Sequence, residues 1–303
     1  MTYNENFFDA ALNKRLKDRL DTLIPWQDQV VKYMMNYLVD TKDQQQLKGC
    51  DCFIHIVAKI RFNLEAATSL FSFLYNDYRF KTSVNVLYRT IIDDIINSYY
   101  LFCTVALGDP DQNALINELN ILHKEYIVSV LKGLESERQF EKILKTLKNE
   151  EIGVYEDYLD EFRKANPDLF NTDGNLKKNS EIRATTDPFF LKLYNQNDGN
   201  PRSFISESKK LEFIAARNVG TESNIAAMYK YLSQYQHYSP KMRDYIQHHI
   251  EYDISIYQKS LGEILILLNQ LFQFMKFNNK NNLETEWERL TPLVFNSFSE
   301  DLH

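Results

Sequence analysis

Val84-Asn85-Val86-Leu87-Tyr88-Arg89-Thr90-Ile91-Ile92-Asp93-Asp94-Ile95-Ile96 is the stretch on which the fold turns. Arg89 and Asp93 stand four residues apart and so share a helix face, with Asn85, Ile96 and Tyr100 close to it. The helix is predicted to run from about Thr82 to Leu107. It stops at Gly108-Asp109-Pro110, where a glycine suited to a helix C-terminus precedes a proline that cannot continue one. An unpaired charge within so apolar a segment is costly. If the face points inward, an Arg89-Asp93 ion pair is the minimum arrangement that satisfies both groups. A structural ion pair and a functional site both fit this spacing.

The same period extends outward. Ile54, Val57, Leu64, Ala67, Phe71 and Leu74 predict a helix within 51–80, and Leu12, Leu16, Leu20 and Leu23 predict one ahead of Pro25. Pro25 ends that helix in this reading and opens another through Trp26, Val30, Tyr33, Tyr37 and Leu38, making residues 1–45 an amphipathic arm. Downstream, Leu115 to Val130 and Phe140 to Leu147 carry the helical spacing. Residues 166–206 collect Pro, Gly, Asn and Asp with little periodicity and read as an irregular insertion. Helical pattern resumes near Ser208, continues through Ile225, Met228, Tyr229 and Leu232, and ends in a long apolar helix to Phe277. The expected fold is all-α: a bundle of four to five long helices over 46–280, an N-terminal arm, and a tail over 281–303.

Composition agrees. Only 8 Gly and 7 Pro in 303 residues are too few for a protein of many short strands and tight turns, while 20 Phe and 19 Tyr supply a large apolar core. Cys50, Cys52 and Cys103 form neither an even set nor a zinc-type pair, which points to reduced thiols and a cytoplasmic location. The N-terminus has no basic-then-apolar order and the most apolar stretch carries Glu263, so no membrane association is expected. Phosphate-loop, dinucleotide, hydrolase-elbow and metal-ligand motifs are absent, and no cofactor or metal is expected. A net charge of −7 opposes wholesale attraction to nucleic acid. The adjacent lysines Lys177-Lys178 and Lys209-Lys210 are the basic pairs nearest to a phosphate-binding pattern. His55 and His123, set in apolar helices, read as core histidines.

A second polar group sits in Tyr229-Lys230-Tyr231-Leu232-Ser233-Gln234-Tyr235-Gln236-His237. Ser233 and His237 are again four apart, at a helix C-terminus that favours a protonated imidazole. A capping or core histidine fits the same place. Together, Asn63 to Ala67, Val86 to Asp93, Tyr231-Leu232-Ser233 and His237 resemble a bacterial all-helical family of unknown function. Its pattern is an aliphatic-Arg-x-x-x-acid helix followed by a later Tyr-x-x-Leu-Ser-x-x-x-His stretch. Asp93 stands where that family often has Glu. The resemblance implies that Arg89, Asp93, Ser233 and His237 converge in one pocket.

That family in turn is similar to the HEPN group of helical bundles, several of which are metal-independent ribonucleases in defence systems. Their Arg-then-His signature is matched by Arg243-Asp244-Tyr245-Ile246-Gln247-His248. The resemblance implies a homodimer acting on RNA, with Arg243 stabilising the charge of a phosphorane and His248 exchanging a proton with a ribose 2′-hydroxyl. Two other expectations stand beside it: a ligand-sensing module built on the Arg89 pocket, and an adaptor that presents the N-terminal arm to a protein partner.

Overall fold

The computed structural model describes residues 10–42, 51–74, 80–106, 160–161, 163–177, 207–217, 222–236, 250–275 and 282–295, with scattered positions between 115 and 146. Its helices are α1 (Ala10–Lys42), α2 (Asp51–Leu74), α3 (Lys81–Ala106), α4 (Glu207–Ala215), α5 (Glu222–Ser233), α6 (Ile250–Met275) and α7 (Leu283–Phe295), and a 3-10 turn, Gln234–Gln236, extends α5. The protein is all-α. Among the described residues extended pairing is confined to one isolated bridge, Phe170 with Leu176.

The chain divides into two compact units, one made of 1–110 with 207–303 and the other of 111–206. In the first, α3 is the central helix and packs on α2, α4, α5 and α6, while α1 packs on α2, α6 and α7. The stretch that decided the reading is the core. Tyr88, Ile91, Ile92, Ile95, Ile96 and Tyr99 are fully buried, as are Tyr257, Leu261, Ile264 and Leu265 of the neighbouring α6. Each such side chain contributes roughly 1.5–3 kcal/mol on leaving water, which is why the period-four pattern sets the fold.

The N-terminal segment differs from its reading as an arm broken at Pro25. The helix runs through Pro25, and Leu20, Leu23, Val30, Tyr33, Met34 and Tyr37 are buried. Its apolar stripe on both sides of the proline is held by α2, α6 and α7, and that packing outweighs the lost backbone hydrogen bond. The tail also joins the bundle: Leu283, Leu290 and Val294 of α7 are buried, and Trp287 Nε1 donates to the Leu265 carbonyl at 2.9 Å.

In the second unit, residues 166–177 are irregular. Pro167–Leu169 forms a 3-10 turn, and the Asn171 side chain accepts from the amides of Asp173 (3.1 Å) and Asn175 (2.9 Å). This closes a turn whose Gly174 has φ +74°, a conformation that glycine adopts without penalty. The expected irregular stretch from 178 to 206 lies outside the described residues.

Candidate functional site

Arg89 projects from the middle of α3 toward α5. Its Nε donates to Ser233 Oγ at 2.9 Å, its Nη1 pairs with the Asp93 carboxylate, and its guanidinium lies 3.7 Å from the centre of the Tyr229 ring. Ser233 donates its own proton to the Tyr229 carbonyl at 2.7 Å, so one hydroxyl both donates and accepts. Two segments 144 residues apart are thereby joined through a single guanidinium, whose planar fork suits a bond at one edge and an aromatic ring on its face. Of the four residues expected to converge, Arg89, Asp93 and Ser233 do. His237 lies outside the described residues, as do Arg243 and His248.

The seam continues along α3 and onto α4. Lys210 Nζ donates to Asn97 Oδ1 at 3.0 Å and lies 3.8 Å from Glu207 Oε1. The two cations form the floor, with Arg89 at 5% and Lys210 at 3% exposure, whereas the side chains of Asp93 and Glu207 are 30% and 40% exposed. Solvent therefore meets carboxylates first. Burial raises the Asp93 carboxyl above its ordinary value despite the opposing Arg89, and the nearby Glu207 pushes it the same way. Beside it, Asp94 pairs with Lys59 at 2.7 Å, and burial raises its carboxyl too.

A second cluster, not singled out from the sequence, lies two turns toward the N-terminus of α3. Asp253 of α6 is fully buried and pairs with Lys81, itself 1% exposed. One oxygen, Oδ1, accepts from Tyr231 (2.7 Å), Tyr235 (3.1 Å) and Asn85 (3.1 Å). Burial raises the Asp253 carboxyl and lowers the Lys81 ammonium, each against the pull of its partner. Asn85 in turn accepts from Tyr257 at 2.8 Å, and Tyr257 stacks on Tyr88 with ring centres 4.3 Å apart. Tyr88 donates to Gln27 Oε1 (2.7 Å), and Gln27 Nε2 donates to the Leu64 carbonyl (3.0 Å). Lys81, Asn85, Arg89, Asp93 and Asn97 are thus one polar stripe of period four. That ladder was the available signal, extending the Arg89-Asp93 pair by two turns at one end and one at the other.

The remaining expected residues separate. His55 is exposed on α2, because Phe53, Val57 and Ile60 carry the inward stripe and place it opposite. Lys209 pairs with Glu212 at 2.7 Å, Lys210 is buried, and Lys177 Nζ donates to the Asp168 carbonyl at 2.8 Å. Each of these three lysines has a partner within the protein, and Lys178 and His123 lie outside the described residues. Among the described residues no group of three or more His, Cys, Asp or Glu could hold a metal ion, and no helix is long and apolar enough to cross a membrane. Comparison with family models, curated proteins and solved structures returned no match to this chain.

Proposed function

We propose that the protein is a non-catalytic recognition module. Its ligand presents a cationic, hydrogen-bond-donating group, an amine or guanidinium, to the lip formed by Asp93 and Glu207. The observation that carries this reading is the vertical sorting of charge in the seam: Arg89 and Lys210 are buried as floor, Asp93 and Glu207 are half-exposed above them. A donor-rich group gains Coulomb attraction at the lip without displacing the floor, whereas a phosphate backbone meets like charge first. Ser233 and Tyr229 fix the guanidinium, so the lip keeps its shape when empty.

The test is binding of spermidine and of arginine amide by calorimetry at low salt. Asp93→Asn should weaken binding by about tenfold, and rising salt should weaken it further, as for any partly exposed charge contact. Absence of binding by both probes, or affinity indifferent to Asp93→Asn, overturns the reading.

A second reading, a HEPN-like ribonuclease working as a homodimer through Arg243 and His248, is favoured by one observation. Tyr235 and Asp253, which bracket those residues in sequence, bond to each other at 3.1 Å. The described residues on either side of Arg243 and His248 are thereby held together at a buried carboxylate. Purified protein that cleaves RNA without metal, and loses this on His248→Ala, would replace the recognition reading.

A further inference from the structure

We propose that the Asp253 cluster is a clasp that positions α5. Through Tyr231 and Tyr235, Asp253 and Lys81 hold the last turn of α5 in the one register that brings Ser233 and Tyr229 to Arg89. Their charges specify that register without adding to the stability of the bundle. The inference goes beyond the recognition reading, because it concerns how the seam is assembled whatever it binds.

The apolar face of α5 is Ile225, Met228 and Leu232, all fully buried. Aliphatic residues at helical spacing pack almost as well after a slide of one turn, about 5.4 Å, as before it. Polar groups do not. Such a slide would carry both tyrosine hydroxyls away from Asp253 and Ser233 away from Arg89, leaving charges buried without these donors, which is the costly outcome. Two donors from α5 and its 3-10 extension restrict α5 in distance and rotation together, and a third donor ties the same carboxylate oxygen to α3, while the acceptor belongs to α6. Lys81 and Arg89 are eight residues apart on one rigid helix, roughly 12 Å. A register set at Asp253 is therefore the register read at Arg89.

The specifying role follows from the energetics of buried ion pairs. Removing two charges from water costs about what their attraction returns, so replacing both by apolar groups of similar volume is commonly neutral or favourable. A lone surviving charge is strongly unfavourable. Tyr231 and Tyr235 add little net stability for the same reason, since water would satisfy their hydroxyls in the unfolded chain.

The experiment compares the wild-type protein with two double variants by hydrogen exchange, reading amides 229–235 against those of α2. Lys81→Met with Asp253→Leu should keep Tm within about 4 °C of wild type. The same variant should lose at least about tenfold of the protection of 229–235 while α2 keeps its own. Tyr231→Phe with Tyr235→Phe leaves the charge pair in place and should reproduce the local loss. Wild-type protection at 229–235 in either variant overturns the clasp. So does a charge variant that fails to fold, or that loses protection equally in every helix, since either marks the pair as an ordinary stabilising contact. Exchange requires no ligand, so a failure of amine binding leaves this test intact.

Discussion

Asp94 shows how a single carboxylate acts on the whole fold. Its side chain is 7% exposed, and burial raises its carboxyl above the ordinary 3.8 even with Lys59 at 2.7 Å. A folded value above the unfolded one means that folding favours the protonated acid. The associated stability is complete below the unfolded value and is lost as pH rises through the folded one. An asparagine at this position would not titrate. The stability of Asp94→Asn relative to wild type, from urea denaturation, should therefore rise from about pH 4 upward and level off once the folded carboxyl has ionised. A difference independent of pH would show that Lys59 fully offsets burial. Cys103 is governed by the same physics: burial pushes its thiol up to about 12, so thiolate-specific reagents should reach the half-buried Cys52 before Cys103. Arg89 and Asp93 were legible because their spacing alone required a partner. Asp253 was not. An acid near the start of an apolar helix, two residues after Glu251, looks solvated until Lys81, Tyr231 and Tyr235 are known to face it, and only the fold brings those distant partners to it.

Among the helices, α3 was read to within a residue at each end, because strong periodicity and a Gly-Asp-Pro stop agree. Pro25 misled because local chemistry and packing pull in opposite directions there: proline removes one backbone bond, whereas the stripe from Leu20 to Tyr37 buries large side chains on both sides of it. The last helix carries its own prediction. A Cβ placed on Gly262 would stand 3.0 Å from Phe295 Cζ and 3.2 Å from Cε1, so α6 and α7 meet there without a side chain between them. Gly262→Leu should force the Phe295 ring out and cost about 1–3 kcal/mol by overpacking. In a Trp26→Phe background the remaining Trp287 should shift to longer emission wavelength as its 2.9 Å bond to the Leu265 carbonyl weakens. Unchanged emission would mean that the ring yields without moving α7.

At the scale of the molecule, the first unit is discontinuous, drawn from 1–110 and 207–303 around an intervening unit of 111–206. Lys210 of α4 touches Asn97 at 3.0 Å, and Asn97 lies nine residues, roughly 14 Å, before the end of α3. A flexible chain of about 12 Gly and Ser residues spans roughly 19 Å, enough to replace 111–206. That shortened protein should remain helical and unfold in a single transition by circular dichroism; a broad, non-cooperative melt would show that the first unit depends on the second. Discontinuity also orders events on the ribosome. The hairpin of α1 and α2 and the whole of α3 emerge about a hundred residues before α4, α5 and α6 exist to cover them. During that interval the side of α3 that α4 and α6 will cover shows Tyr100 and Phe102, which later meet Phe213 and Phe274, beside the polar stripe of Lys81, Asn85, Arg89, Asp93 and Asn97. The unfinished chain thus carries uncovered aromatic surface for as long as 111–206 take to emerge, and the seam that later joins the helices serves meanwhile to break that surface up with groups that water solvates.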